Sequence, residues 1–288
     1  MIPLNIRDAV RESSLKHSSR PALSFVDSDP ILYGDMLQKI LSFSLFLRDL
    51  GINKGDRVAI LSKNSPNWGI AYLSIAFCGG VVVPILPDFN KNEVTNILKH
   101  SDSKIIFDSD ALSANVDFSK IGNLDYEISI HDFSIRNYKP GVKALSYSSS
   151  ERINADMDLE LLLGDVHEDD LASIIYTSGT TGSSKGVMLS HKNIMSNVVS
   201  SSFVQSIHSE DRFLSILPLS HAYEFTIGFM LPLTFGAAIY YIDGPPVGTV
   251  LLPALQKVKP SIILSVPLII EKIYRAKIQP KFSKGILG

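Results

Sequence analysis

Short apolar runs alternate with amphipathic segments over the first 110 residues, and this alternation constrains the fold more than any other feature of the sequence. Three runs are typical of buried strands, at residues 57–61, 81–85 and 104–108. Two helices are predicted between them, one opened by Pro66 and one by Asn90 and Glu93, which form a capping-box pattern. Strand, helix, strand, helix, strand is the order of a parallel sheet with crossover helices. We therefore expect an α/β fold, with parallel-sheet layers and flanking helices.

The whole chain of 288 residues divides into three segments by the same criterion. Residues 1–110 form a first α/β segment, in which an early amphipathic helix is followed by Gly51 as its C-terminal cap. Residues 111–170 are less regular and predict a surface connection with one strand. Residues 171–288 return to the alternation, with four apolar runs and a last helix that begins at Pro267.

Charge and cysteine content exclude several classes of protein. Lys and Arg number 27 against 29 Asp and Glu, and this net charge of −2 argues against a nucleic-acid binder, which needs a basic face. The single cysteine, Cys78, excludes an internal disulfide framework and is predicted to be a core residue. The N-terminal residues lack the cationic stretch and apolar core of a secretory signal, so we expect a cytoplasmic protein.

One uncharged stretch, residues 225–242, is long enough to span a bilayer. Gly228, Pro232 and Gly236 interrupt it, and its last residues are typical of a strand. We interpret it as a buried helix followed by a buried strand, and keep a peripheral membrane contact as the alternative.

A loop rich in hydroxyl groups and glycine follows the apolar run at residues 171–176. Glycines let the backbone N–H groups approach an anion, hydroxyls donate further hydrogen bonds, and a lysine adds a mobile positive charge. The loop therefore predicts a polyphosphate site, whose candidate residues are Thr177, Ser178, Gly179, Thr180, Thr181, Gly182 and Lys185. It is not the common P-loop, because Ser184 precedes the lysine, Gly186 follows it, and the next residues predict a return strand.

The sequence of this loop, TSGTTGSSKG, closely resembles the phosphate-loop signature of the adenylate-forming (AMP-binding) superfamily. That superfamily contains acyl-CoA synthetases, luciferases and the adenylation domains of peptide synthetases. The resemblance covers the whole chain, since GINKGDRVAILSKNSPNW, FCGGVVVPI and SVPLIIEKIY are similar to other blocks of the family. It implies that the chain is part of the large N-terminal domain of such an enzyme.

A second motif, LPLSHAYEF, contains His221 and Glu224. From the residues alone, Glu224 also suits the first turn of a helix, where a carboxylate interacts favourably with the helix dipole. The pattern is most similar to that of long-chain fatty acyl-CoA synthetases, and the resemblance implies that both residues border the acyl and nucleotide pocket.

The resemblance implies a reaction in which a fatty acid and ATP give an acyl-adenylate, which CoA then converts to acyl-CoA. ATP and Mg²⁺ are the implied cofactors and CoA the co-substrate, with Thr177 as a candidate magnesium ligand. An amino-acid or aryl-acid adenylating domain is the alternative within the family. A non-catalytic module that binds a nucleotide or an acyl group is the alternative outside it. The oligomeric state and the preferred acyl length stay open.

Several blocks of the family are not found in these 288 residues. They are the adenine-binding aromatic block, the ribose-binding aspartate, the magnesium glutamate and the small C-terminal domain with its catalytic lysine. We therefore expect an N-terminal fragment that is inactive alone.

Overall fold

The computed structural model describes residues 2–147, 153, 158–177, 185–275 and 279. Twelve strands lie within these residues, and the first five are β1 (Pro21–Phe25), β2 (Ile31–Leu32), β3 (Arg57–Leu61), β4 (Val81–Ile85) and β5 (Ser103–Asp108). The others are β6 (Tyr126–Ser129), β7 (Ile135–Tyr138), β8 (Leu171–Thr177), β9 (Lys185–Ser190), β10 (Arg212–Ser215), β11 (Ala238–Tyr241) and β12 (Ile262–Ile263). They form two sheets.

The larger sheet has seven strands in the order β7-β6-β5-β3-β4-β8-β9. Its five inner strands are parallel, while β7 and β9 pair antiparallel at the two ends. The smaller sheet has the order β12-β10-β11-β1-β2, and only its end strand β2 is antiparallel to its neighbour. The predicted α/β fold with parallel-sheet layers is therefore confirmed.

Helices cover the faces of both sheets. In the described part of the chain they are α1 (Ile6–Lys16), α2 (Tyr33–Asp49), α3 (Pro66–Phe77), α4 (Lys91–Ser101), α5 (Leu159–Leu163), α6 (His191–Val204), α7 (Leu231–Phe235), α8 (Gly248–Val258) and α9 (Pro267–Ile273). A π-helical segment, Glu224–Met230, runs directly into α7. Two single 3₁₀ turns lie at Ser113–Asn115 and Phe118–Lys120.

The core is built in layers. Helix α3 is apolar on every side because it lies between the sheets and contacts β1 on one side and β3 and β4 on the other. Alternate residues of β3 separate the layers. Val58 and Ile60 join the central core, and Ala59 and Leu61 pack on the outer face beneath α4. Helix α8 covers the outer face of the smaller sheet. Because the inner strands of each sheet run parallel, their carboxyl ends lie along the same side of that sheet.

Local sequence signals account for most of these boundaries. Asn90 and Glu93 form the predicted capping box of α4, and Pro66 opens α3 as expected. Gly51 follows α2 with φ of 88°. Residues 225–242 form the π-helical segment, α7 and β11, which confirms the interpretation as a buried helix followed by a buried strand. The described residues include no helix long and apolar enough to cross a membrane.

Two expectations differ from the structure in detail. Residues 111–170 contain two strands, β6 and β7, where the sequence predicted one. The apolar run at residues 261–266 gives only the two-residue strand β12.

Cys78 is 1% exposed, as predicted for a core residue, and burial raises the pKa of its thiol to about 11.

Candidate functional site

The tip of the β8–β9 hairpin carries the ends of the predicted phosphate loop. Thr177 is the last residue of β8, and its Cα partner across the antiparallel ladder is Lys185, the first residue of β9. Both residues are exposed. Ser178, Gly179, Thr180, Thr181 and Gly182 lie outside the described residues. A strand rather than a helix follows Lys185, as the sequence predicted, so this is not the strand–loop–helix arrangement of the common P-loop.

Gly186 is required by the close packing of the hairpin. A Cβ at this position would lie 2.8 Å from Cγ2 of Ile174 and 3.3 Å from the Tyr176 ring, so a larger residue would push the two strands apart. The Tyr176 hydroxyl is 2.6 Å from Nδ1 of His100 on α4, which anchors β8 to the outer helix. The position of Lys185 at the tip therefore depends on Gly186, which follows it directly, and on the buried Tyr176, which is opposite Gly186 in the ladder.

The second motif forms a loop at the carboxyl end of β10. We define the His221 loop as residues 216–223, between β10 and the π-helical segment. His221 itself is exposed, and its backbone N–H donates to the carbonyl of Pro218 at 3.0 Å. The N–H of Phe225 donates in turn to the carbonyl of His221 at 2.9 Å, which links the loop to the helix that follows.

Glu224 lies beneath this loop and is only 1% exposed. Its Oε1 accepts a hydrogen bond of 2.6 Å from the Ser215 hydroxyl, and its Oε2 has no hydrogen-bond partner among the described residues. Burial raises the pKa of this carboxyl to about 7, although the Ser215 hydrogen bond acts in the opposite direction. Gly228 is one turn along the π-helical segment, and a Cβ there would lie 2.7 Å from the Glu224 carboxyl group. The carboxyl group therefore fills the space that a side chain at position 228 would take.

Asn64 contacts the His221 loop, and the sequence did not single it out. It lies in the turn between β3 and α3, and its Nδ2 donates to the Leu217 carbonyl at 2.7 Å and to the Ser215 hydroxyl at 3.0 Å. Its Oδ1 accepts from the Leu219 N–H at 2.8 Å. In the sequence Asn64 only precedes a helix start, and its partners are more than 150 positions away. No local signal indicates these contacts.

The two motifs lie at corresponding edges of the two sheets. Strands β3, β4 and β8 are parallel, so the Thr177 end of β8 and the Asn64 end of β3 are at the same edge of the larger sheet. Asn64 bonds to residues that end β10 in the smaller sheet. A crevice at the carboxyl ends of parallel strands is the usual ligand site of an α/β fold.

The described residues contain no group of three or more His, Cys, Asp or Glu that could hold a metal ion. The exposed hydroxyl of Thr177 at the hairpin tip is nonetheless an oxygen donor of the kind that Mg²⁺ accepts beside phosphate oxygens. The Thr177 hydroxyl thus fits a magnesium ion that is held mainly by a bound polyphosphate.

Comparison with known proteins defines the family. The family model described as "AMP-binding enzyme" matches residues 10–285. The chain belongs to the AMP-binding enzyme family. The predicted membership of the adenylate-forming superfamily is thereby confirmed.

Similar AMP-binding proteins include two curated ligases. The chain is 30% identical over 300 residues to the chloroplastic long-chain-fatty-acid–[acyl-carrier-protein] ligase AEE15 of Arabidopsis thaliana, covering 98% of this chain and 40% of that protein. It is 26% identical over 288 residues to a long-chain-fatty-acid–CoA ligase of Bacillus subtilis (strain 168), covering 92% and 50%. The chain therefore spans about half of their length or less.

A solved structure shows the same fold. The Mycobacterium tuberculosis fatty acyl CoA synthetase superposes with a TM-score of 0.79 at 23% sequence identity. The match covers 98% of this chain and 52% of that one. The architecture is therefore that of the corresponding part of an adenylate-forming enzyme.

Proposed function

We propose that this chain forms the phosphate-binding and acyl-binding part of an ATP-dependent fatty acid–CoA ligase, an acid–thiol ligase. The observation that carries the proposal is the pairing of Thr177 with Lys185 at the carboxyl end of β8. Asn64, at the same side of the larger sheet, connects this side to the His221 loop through the Leu217 carbonyl. A hydroxyl and an ammonium group are thus presented on the edge that is connected to an exposed histidine. The names of the two curated relatives both specify long-chain fatty acids, which supports a fatty acid as the carboxylate.

The reaction has two halves. In the first, a carboxylate oxygen of the fatty acid attacks the α-phosphorus of ATP, the bond to the β-phosphate breaks, and pyrophosphate leaves as the acyl-adenylate forms. In the second, the CoA thiolate attacks the acyl carbonyl carbon and AMP leaves. Carboxylate and triphosphate are both anions, so the site must offset their repulsion before the first half can proceed.

The hairpin acts on the phosphates in this proposal. Lys185 places its positive charge on the leaving pyrophosphate, and the hydroxyl and backbone N–H groups of Thr177, Ser178, Gly179, Thr180, Thr181 and Gly182 donate to the β- and γ-phosphates. Mg²⁺ neutralises further charge when it is bound, and the Thr177 hydroxyl would hold it beside the phosphate oxygens.

The His221 loop acts on the acyl side. His221 is exposed at the edge of the smaller sheet, where it borders the carboxylate of the fatty acid in this proposal. Glu224 borders the same pocket from its buried side, beneath the loop. An amino-acid substrate is disfavoured because it needs an accessible carboxylate for its amino group, whereas the Glu224 carboxyl is buried and bonded to Ser215.

Several other expectations stay predictions. We propose the cytoplasm as the compartment, with a peripheral membrane contact as the alternative. The segment boundaries near residues 110 and 170 and the lack of activity of these 288 residues alone are proposals as well. Each can be tested separately from the phosphate role of the hairpin.

The test joins residues 1–288 to the part of the Bacillus subtilis ligase that lies beyond the matched region. Carboxylate-dependent exchange between ATP and pyrophosphate is then measured with a series of fatty acids, 4-hydroxycinnamic acid and amino acids. We expect exchange with fatty acids and none with amino acids. If exchange depends only on amino acids or only on aryl acids, that class and not fatty acids is the carboxylate substrate.

A second measurement needs only the 288-residue chain. Pyrophosphate is titrated into ¹⁵N-labelled protein, and the amide signals of Thr177 and Lys185 are followed by NMR. We expect both signals to shift with saturation, because the proposed phosphate donors are local to the hairpin. Signals that stay unchanged at millimolar pyrophosphate would contradict the phosphate role.

A further inference from the structure

We propose that Asn64 is a positioning residue of the ligase reaction, which holds the His221 loop at a fixed place relative to the β8–β9 hairpin. This inference rests on the proposed function, because it assigns Asn64 a role through His221.

The amide of Asn64 binds the backbone of the loop at two points. Its Nδ2 donates to the Leu217 carbonyl at 2.7 Å, and its Oδ1 accepts from the Leu219 N–H at 2.8 Å. One planar group thus fixes both a carbonyl and an N–H two residues apart. These residues precede His221 by four and two positions, and the Pro218 carbonyl between them accepts from the His221 N–H. The position of His221 therefore depends on the backbone that Asn64 holds.

The second Nδ2 hydrogen bond ties the loop to its own ends. Asn64 donates to the Ser215 hydroxyl at 3.0 Å, and that hydroxyl donates to Oε1 of Glu224 at 2.6 Å. Ser215 ends β10, and Glu224 begins the π-helical segment. The chain therefore enters and leaves the loop at two residues joined through one hydroxyl group, and Asn64 bonds to that hydroxyl. Loss of the Asn64 amide would therefore take this partner from the Leu217 carbonyl and the Leu219 N–H at the same time, while Ser215 would keep its hydrogen bond to Glu224.

The topology gives this contact its functional meaning. Asn64 follows β3, which is two strands from β8 in the larger sheet, with only β4 between them. The His221 loop follows β10 in the smaller sheet. Asn64 is therefore a direct connection between the sheet that carries Lys185 and the loop that carries His221. An error of about 1 Å between reacting groups can cost on the order of a hundredfold in rate, so such a connection matters for catalysis.

Asn67 provides a matched control. It lies in the first turn of α3, and its Nδ2 donates to the carbonyls of Ile130 at 3.0 Å and His131 at 2.7 Å. The side chain is the same and also binds backbone carbonyls, but these belong to the connection between β6 and β7. Removing this amide should disturb a neighbouring loop without moving His221.

The experiment compares Asn64→Ala, Asn64→Asp and Asn67→Ala in the ¹⁵N,¹³C-labelled 288-residue chain. Asn64→Asp keeps the size and the acceptor for Leu219 but loses both donated hydrogen bonds, so it serves if Asn64→Ala does not fold. The readouts are the amide hydrogen-exchange rate and the ring NMR signals of His221, together with the melting temperature. We expect at least tenfold faster exchange at His221 and shifted ring signals in both Asn64 variants, and neither change in Asn67→Ala. Unchanged His221 signals in a folded Asn64 variant would overturn the proposal.

The kinetic consequence is measured in the protein joined to the Bacillus subtilis segment. We expect both Asn64 variants to lower kcat for fatty-acid-dependent exchange at least tenfold, with the KM for ATP within threefold of the unsubstituted protein. Asn67→Ala should change both constants less than threefold. Equal losses of kcat in the Asn64 and Asn67 variants would reduce Asn64 to a structural role. If the unsubstituted joined protein shows no exchange, the proposed function fails, and the His221 signals alone decide the role of Asn64.

Discussion

The β8–β9 hairpin and the His221 loop are both proposed to touch substrate, but they are held in different ways. The hairpin joins the inner strand β8 to the edge strand β9, and it is fixed by a backbone ladder and by close packing at Gly186. The His221 loop is fixed by side-chain hydrogen bonds from Asn64 and by the Ser215 hydroxyl that bonds to Glu224. Away from Gly186, backbone pairing does not depend on the side chains, whereas a hydrogen-bond network of side chains is lost with the side chain that makes it.

Because of this difference, we expect substitutions at the hairpin tip to affect ligand binding alone and substitutions beneath the His221 loop to affect stability as well. At the hairpin tip Thr177 and Lys185 are exposed, so we expect their substitution to remove only the proposed ligand contact and to leave the fold intact. Beneath the His221 loop the polar groups are buried, so substitution there changes the unfolding free energy as well as the loop.

The largest effect is expected for Lys185→Ala in the protein joined to the Bacillus subtilis segment. Loss of one charge-assisted contact with the leaving phosphates costs about 1.5–3 kcal/mol, which corresponds to roughly a ten- to hundredfold rise in the KM for ATP with slower adenylation. The melting temperature of the 288-residue chain should not change. Unaltered kinetics would contradict the phosphate role of Lys185. A clear loss of stability would contradict the expectation that substitutions at the hairpin tip leave the fold intact.

The second effect concerns the titration of Glu224. Burial raises the pKa of this carboxyl to about 7, so the folded chain keeps its proton between about pH 4.5 and 7, where the unfolded chain loses it. Glu224 therefore lowers stability progressively as pH rises across that window, and the loss is constant above pH 7. Glu224→Gln removes this titration and keeps an acceptor for Ser215.

The measurement is urea unfolding of the 288-residue chain between pH 4.5 and 8. We expect the stability of Glu224→Gln relative to the unsubstituted chain to rise by on the order of 3 kcal/mol from pH 4.5 to 7.5. Ser215→Ala sharpens the test, because the Ser215 hydrogen bond lowers the pKa of Glu224 and its loss should move the window to higher pH. A difference that does not vary with pH would show that Glu224 is ionised in the folded chain.

Only a small stability effect is expected for His221→Ala. His221 is exposed, so the unfolding free energy should change by no more than about 0.5 kcal/mol. In the joined protein, fatty-acid selectivity or kcat should change more than the KM for ATP, the reverse of the pattern for Lys185→Ala. If fatty-acid selectivity, kcat and the KM for ATP all change by small and equal factors, His221 does not border the fatty acid.

Much of the fold could be predicted because its signals are local. The capping box of α4 and the proline that opens α3 each act within one helical turn, and both are found where the sequence placed them. Strand β7 was missed because its residues are half-buried or exposed and lack an apolar run. The positions of Thr177 and Lys185 at the ends of β8 and β9 follow from the predicted strand, loop and return strand, while their phosphate role stays a prediction. Asn64 was not predictable, because its meaning depends on residues more than 150 positions away.

The smaller sheet also determines the order in which the chain can acquire its structure during synthesis. Strand β1 pairs on one side with β2, which follows within a few residues, and on the other with β11, where Leu23 is opposite Ile239. At translation rates of 5–20 residues per second, the ribosome needs roughly 10–40 s to make the chain between these two partners. The larger sheet can pair β3, β4 and β5 long before then, because these strands lie within residues 57–108. The sheet that carries the His221 loop therefore cannot be completed until β11 and β12 have been made, whereas β3, β4 and β5 are available for pairing much earlier.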